Sequence, residues 1–427
     1  MKLLIKNGYV VDPANKISEI RDILVENSKI SQVSKSISVK ADRVIDAVGK
    51  IVMPGIVDMH VHLREPGRED KETIFSGTKA ALKGGVTSVL AMPNTTPAID
   101  CAEQVGLLKN IIKNTAQANV FISGAISKER LGEELTDIVK LKKAGVIAIT
   151  DDGSSVKNDA LFSKALQKAK TQKILVICHC EDKALSAGGV VNLGVVSTRL
   201  GLRGIPKESE YKIVKRDVEL AKRLQAKVHI AHVSCQESVE IIAQAKKKGI
   251  LVTAETAPHY FSLSQEDLFE YDTNMKMNPP LRSCADREAI KQGLKDGTID
   301  VIASDHAPHT ENEKDIEFDR AEFGVIGLET ELAVAITELV NQKMLNWLQL
   351  AEKFTLNPAK ILGIDKGVLS HGKDADIVIF SPEKEWLVKK GEIVSKSKNS
   401  PFLNRKLKGV VRYTILAGKV VYESELS

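Results

Sequence analysis

Residues 56–62 read Ile56-Val57-Asp58-Met59-His60-Val61-His62. A short apolar run of this kind suits a buried strand. Side chains two apart on a strand share a face, so His60 and His62 point the same way and can grip one ion together. The same kind of run returns at 88–92, 120–124, 146–150, 174–179, 228–233, 251–255 and 301–304. Between them lie longer amphipathic stretches, such as 102–114 and 237–248, with the apolar 3–4 spacing of helices. Strand and helix in alternation are the pattern of parallel βα units. Eight of them close naturally into a (β/α)8 TIM-type barrel, so the chain is expected to be α/β.

The flanks read differently. Residues 3–5, 9–11, 22–25, 29–33 and 43–46 look like short strands separated by turns, without helical periodicity. Beyond a last helical region ending near Leu362, the chain returns to strands at 375–380, 385–388 and 410–421, with Gly363, Gly367 and Gly372 marking the change. Neither end is large enough to bury a core alone. The expected division is a small composite β-sandwich domain from 1–52 and 366–427, beside a barrel spanning 53–365.

Composition bounds the function. The 427 residues are 43% hydrophobic and 27% charged, as in an ordinary globular enzyme. Lys and Arg number 61 against 56 Asp and Glu, a net charge of +5. The basic residues are dispersed, with no dense tract or interleaved aromatics, which argues against nucleic acid as a partner. The 5 cysteines are odd in number and lack C-x-x-C spacing, which suits a reducing compartment rather than a disulfide framework. The opening Met1-Lys2-Leu3-Leu4-Ile5-Lys6 has too short an apolar run for a signal peptide. Charges interrupt every apolar run, so no membrane span is expected. These features predict a cytoplasmic enzyme.

In a TIM barrel the chemistry sits at the C-terminal ends of the strands. Strand one ends at His60 and His62, strand four runs into Asp151-Asp152, strand five ends at His179, strand six at His232, and strand eight runs into Asp305. A lone histidine is more often a satisfied core or surface residue. Four histidines and two carboxylates at corresponding positions on five strands point instead to a metal centre. Imidazole with carboxylate suits Zn2+, and Mn2+, Co2+ or Fe2+ can occupy the same donors.

The run His60-Val61-His62-Leu63-Arg64-Glu65-Pro66-Gly67 resembles the signature of the longer-chain bacterial dihydroorotases, in the cyclic amidohydrolase branch of the amidohydrolase superfamily. The resemblance continues through Met92-Pro93-Asn94-Thr95, Thr150-Asp151-Asp152-Gly153, Cys178-His179-Cys180-Glu181, His232-Val233-Ser234 and Asn278-Pro279-Pro280-Leu281-Arg282. It extends to Ser304-Asp305-His306-Ala307-Pro308-His309 and Gly327-Leu328-Glu329-Thr330. It implies a reversible cyclisation of N-carbamoyl-L-aspartate to (S)-dihydroorotate plus water, the third step of de novo pyrimidine synthesis. It also implies zinc, one or two ions per subunit. One would be held by His60, His62 and Asp305 with Asp152, and the other by His179 and His232 with Asp152 or a hydroxide as bridge. Many relatives bridge with a carboxylated lysine. The turn at 149–153 has none, so an aspartate must serve, and the choice of Asp152 over Asp151 follows the family register.

The same resemblance makes Asp305 the catalytic group that takes a proton from the attacking oxygen and delivers it to the departing nitrogen. It assigns substrate contacts to His62, Arg64, Asn94, Asn278, His309, Phe323 and Gly324. Arg64 offers a planar fork of donors that matches a carboxylate. The competing reading of Arg64 is a surface salt bridge with Glu65 or Glu69. A homodimer is the usual expectation for a soluble oligomer, and the family sometimes joins aspartate carbamoyltransferase.

Strand alternation turns Cys178 and Cys180 away from His179, and places His229 opposite His232 as packing. His259 lies near the mouth without an assigned role, and His371 precedes the terminal strands. The glycines of 192–210 lack P-loop spacing, so that stretch reads as a loop at the site or an interface. The long charged loop 306–323 is expected to cover substrate. Two alternatives compete: a dihydropyrimidinase or allantoinase type of cyclic amidase, for which Arg64 has no carboxylate to pair with, and a non-catalytic scaffold for the transcarbamoylase, which would lose metal ligands.

Overall fold

The computed structural model describes residues 2–268 and 270–424. The N-terminal segment forms β1 (Lys2–Asp12), β2 (Ile17–Glu26), β3 (Lys29–Ser34), β4 (Arg43–Asp46) and β5 (Ile51–Pro54). The strands expected at 3–5 and 9–11 are one strand, β1, whose register shifts between Ile5 and Gly8. A side chain at Gly8 would meet Val52 Cγ2 at 2.5 Å, so the glycine allows β5 to lie close.

The barrel strands are β6 (Ile56–Val61), β7 (Val86–Ala91), β8 (Asn119–Gly124), β9 (Ala148–Ile149) and β10 (Leu175–Cys178). A short pair, β11 (Val191–Asn192) and β12 (Gly204–Ile205), stands apart from them. Then follow β13 (Val228–Ile230), β14 (Val252–Thr256) and β15 (Val301–Ile302). The parallel order is β6-β7-β8-β9-β10-β13-β14-β15. The two edges meet where His62 N–H donates to the His306 carbonyl at 2.9 Å, beside a parallel bridge of Val61 with His306. Every residue of β6 and β7 is buried, as expected of parallel strands covered on both faces. Helices fill the crossovers, among them Ala102–Thr115 and Gln236–Lys247, close to the bounds read from the sequence.

After the helix Asn357–Leu362 come β16 (Ile377–Leu387), β17 (Lys406–Leu416) and β18 (Lys419–Glu423). β16 pairs antiparallel with β5 from Ile377 opposite Pro54 to Phe380 opposite Ile51, so the two ends of the chain build one sheet. Hydrogen bonds link its strands in the order β18-β17-β16-β5-β1-β2-β3, with β4 branching from β1. Its own core gathers Leu3, Ile5, Val10, Ile23, Val52, Ile377, Ile379 and Ile415. Among the described residues no helix is long and apolar enough to cross a membrane.

Several barrel strands are shorter than their apolar runs. β9 stops at Ile149, β13 at Ile230 and β15 at Ile302, leaving Asp152, His232 and Asp305 in the turns just beyond. His232 and Asp305 both take left-handed backbone conformations, φ 35° and 48°. Such conformations cost non-glycine residues energy and cluster where the chain must aim a side chain.

Candidate active site

All six ligand-type residues meet at the C-terminal mouth. Asp152 Oδ1 lies 3.4 Å from His60 Nε2, 3.4 Å from His179 Nδ1 and 3.4 Å from His232 Nε2. Asp152 Oδ2 lies 3.4 Å from His62 Nε2. Asp305 Oδ1 lies 3.5 Å from His60 Nε2 and 3.3 Å from His62 Nε2. His179 Nδ1 and His232 Nε2 approach to 2.8 Å. Burial opposes charge on His60, but Asp152, Glu255 and Asp305 outweigh it and raise its pKa well above the usual value. Burial likewise opposes ionised Asp152, and the surrounding histidines reverse this and hold it well below the carboxylate range.

The donor set suits a cation. His60 Nε2 and Asp152 Oδ1 are buried without a hydrogen-bond partner, although buried polar atoms are almost always paired. His60, Asp152 and His232 form one group with ligand atoms within 4.8 Å of one another, and His60, His62 and Asp305 form another. The tautomers agree. His60 Nδ1 meets Glu255 Oε1 at 2.5 Å and His62 Nδ1 meets Asn94 Oδ1 at 2.8 Å. An Nδ1–H held by an oxygen leaves Nε2 as the ligand atom.

Glu255 lies outside the set that the sequence pattern picks out. It occupies β14 and joins two histidines, reaching His60 through Oε1 and His229 Nε2 through Oε2 at 3.1 Å. His229 is therefore not turned away from the site, as strand alternation predicted. β13 ends at Ile230, and the left-handed turn at His232 breaks the parity between the two histidines. His229 Nδ1 in turn meets Thr253 Oγ1 at 2.8 Å. The signal that could have found Glu255 was present: a carboxylate near the C-terminal end of a barrel strand.

Asp151 and Asp152 divide their tasks. Asp151 turns aside to the loop after β8 and accepts the N–H groups of Ile126 and Ser127, at 2.8 and 3.0 Å, and the Ser127 hydroxyl. Only Asp152 faces the histidines. Cys178 and Cys180 face the apolar packing, with Cys180 Sγ 3.6 Å from Asp217. His259 is buried beside the Tyr260 ring, its Nε2 without a partner, and burial lowers its pKa to about 4.

The residues assigned to substrate sit on the loops around this centre. Arg64 bonds neither Glu65 nor Glu69. Its Nε donates to the Pro308 carbonyl at 3.1 Å, and its guanidinium lies 3.2 Å from His309 Nε2. Burial pulls its pKa down to about 10. His309 Nε2 meets the Phe323 carbonyl at 2.8 Å, while Lys71 Nζ meets Nδ1 at 3.0 Å. That arrangement places the proton on Nε2. Burial, with Arg64 and Lys71 alongside, lowers the His309 pKa to about 2, so the ring is neutral. Asn278 lies beside the Glu181 carboxylate, which in turn meets His179 Nε2 at 3.3 Å. Two buried lysines hold the loop at 306–323. Lys276 donates to the Phe318 and Asp319 carbonyls, and Lys314 to those of Glu322 and Gly324.

A family model described as Dihydro-orotase-like matches residues 49–238, and one described as Amidohydrolase family matches 337–422. The chain is 54% identical over 424 residues to a dihydroorotase of Elusimicrobium minutum, covering 99% of this chain and 98% of that protein. It is 50% identical over 427 residues to a dihydroorotase of Pelotomaculum thermopropionicum, covering 100% of both. The chain belongs to the dihydroorotase family. It is an enzyme of the amidohydrolase superfamily, acting on a cyclic amide.

Solved structures are similar over the whole fold. An L-hydantoinase from Arthrobacter aurescens matches with TM-score 0.90 at 27% identity, covering 99% of this chain and 96% of that one. A dihydropyrimidinase from Brevibacillus agri matches with TM-score 0.86 at 25% identity, covering 99% and 95%. The barrel and its added sheet are thus shared with enzymes named for other cyclic amides. The fold alone therefore does not set the substrate, which depends on the residues of the site.

Proposed function

We propose that the chain interconverts N-carbamoyl-L-aspartate and (S)-dihydroorotate at this mouth, within a catalytic unit spanning 53–365 that the sheet of 1–52 and 366–427 supports. His60, His62 and Asp305 would hold one zinc, and Asp152, His179 and His232 a second. A divalent ion there supplies a lowered pKa for water and polarises the carbonyl under attack. The residues do the rest. Asp305 accepts a proton from the attacking water as its oxygen bonds to the ring carbonyl carbon. As the C–N bond breaks, the same carboxyl returns that proton to the leaving nitrogen. Cyclisation runs these transfers in reverse and releases water.

Arg64, Asn94 and His309 hold the substrate carboxylate. Asn94 spends its Oδ1 on His62, which leaves its amide N–H groups to donate. Asn278 and the backbone at Phe323-Gly324 meet the ring edges. The observation that carries this reading is the pairing of Arg64 with neutral His309 beside the metal ligands. A half-buried guanidinium facing a donor rather than a carboxylate is short of an anion, and a substrate carboxylate supplies one. The test is direct. Protein stripped with a strong chelator should lose the interconversion and regain it with zinc. Turnover of hydantoin or allantoin by metal-loaded protein, without turnover of dihydroorotate, would overturn the reading.

A further inference from the structure

The segment 393–400 precedes the strand β17 and belongs, by chain order, with the added sheet, yet it runs to the barrel mouth. Val394 and Ser395 N–H groups donate to Glu329, at 2.9 Å each to its nearer oxygen. Lys396 N–H donates to Glu72 at 3.1 Å, and Ser397 Oγ to the Lys71 carbonyl at 2.7 Å. Next along the segment is Asn399, 4% exposed.

The Asn399 side chain is fully engaged. Its Oδ1 accepts the His309 N–H at 3.2 Å. Its Nδ2 donates to the Ala307 carbonyl at 3.1 Å and to the Gly324 carbonyl at 3.1 Å. The Asn399 carbonyl accepts from Ile326 N–H at 3.0 Å. One primary amide thus ties both ends of the loop at 306–324. Only asparagine offers an acceptor and two donors on so short a stem; aspartate lacks the donors and glutamine displaces them. The closeness matters at Gly324, whose φ of 135° suits glycine, and where a side chain would meet Ala307 Cβ at 2.8 Å.

We propose that Asn399 is a positioning residue for substrate recognition, fixing His309 and the Gly324 backbone at the separation the substrate requires. The proposal rests on the reading that these two residues contact substrate. It assigns a function to a segment far along the chain from every other site residue, and makes recognition depend on docking of that segment. Preorganising a contact residue lowers the ordering cost of binding, so its loss is felt in KM before kcat.

The test is a double-mutant cycle on metal-loaded full-length protein. Asn399→Ala should raise KM for dihydroorotate about tenfold, the order expected for losing a buried set of three hydrogen bonds. kcat should stay within about threefold, with metal content unchanged. In a His309→Asn background the same substitution should raise KM by clearly less than it does with His309 in place, the remainder passing through Gly324, because residues acting as one unit are not additive. A full additional rise in that background, or no rise in the first, overturns the proposal. If His309→Asn itself leaves KM unchanged, the functional reading of His309 fails and the clasp falls with it. Hydrogen exchange on the unsubstituted protein gives a readout free of folding defects. The His309 amide should be protected without substrate, and rapid exchange there contradicts a preformed clasp.

Discussion

His60, His62, Asp152, His179, His232 and Asp305 lie within a barrel strand or in the turn just after it, whereas His309, Phe323 and Gly324 lie farther out on a loop. Arg64, three residues past β6, is held by the Pro308 carbonyl of that loop. The first group is aimed by parallel strand pairing, a register set by backbone hydrogen bonds. The second is aimed by side-chain hydrogen bonds, from Lys314 within the loop and from Lys71, Lys276 and Asn399 outside it. The loop group also bonds largely to carbonyls, as Arg64 does to Pro308 and His309 to Phe323. On the proposed function, the scaffold supplies an amide-opening centre and the loops decide which amide enters. The fold is shared with an L-hydantoinase at TM-score 0.90, whereas a dihydroorotase relative is 54% identical.

The largest expected effect breaks the strand-borne half. Asp305→Asn should lower kcat for dihydroorotate by roughly 10²–10⁴-fold, the usual contribution of a positioned acid–base group. Steady-state rates with metal content measured on the same sample check this, and a loss below tenfold would move proton transfer to another residue. Glu255→Gln keeps the shape but weakens the hold on the His60 and His229 rings. Metal affinity or activity should fall about 10–100-fold, as for other outer-shell partners of metal-binding histidines. Titration with a competing chelator reads it, and KM for substrate should change little.

A smaller effect follows from protonation. Burial would lower the pKa of His179, but Asp152 and Glu181 reverse this and raise it to about 9 in the metal-free protein. A metal must displace that proton, so its apparent affinity should rise with pH toward about 9, by about tenfold per unit for one proton released. The raised pKa also stabilises the metal-free fold. That contribution is complete below the unfolded value near 6.5 and is lost as pH rises through about 9. Thermal melts of metal-free protein should therefore weaken from neutral pH toward pH 10, beyond any weakening of the metal-loaded form.

The sequence made the strand-borne half legible because period and position carry it. His60 and His62 share a face in any strand, and a barrel puts strand ends together. The same logic failed for His229, since strand parity would hold only if β13 continued to His232. It also passed over Glu255, which meets the rule that selected the other ligands. Asp151 and Asp152 were inseparable by spacing, and only the hydrogen bonds of Asp151 to Ile126 and Ser127 distinguish them. In the loop-borne half, resemblance supplied the residues but not their supports. Asn399 lies 90 residues from His309, and no local pattern announces a contact at that range.

The division into centre and recognition loops is tested most directly by comparing dihydroorotate with dihydrouracil, the same ring without the carboxylate, as substrates of metal-loaded protein. Dihydroorotate should be preferred in kcat/KM by at least about a hundredfold, the scale of removing a charge-assisted hydrogen bond from a buried site. Arg64→Met should erase most of that preference by weakening dihydroorotate alone. Comparable turnover of the two rings by the unsubstituted protein, or a preference that survives Arg64→Met, would contradict the assignment of the carboxylate to these loops.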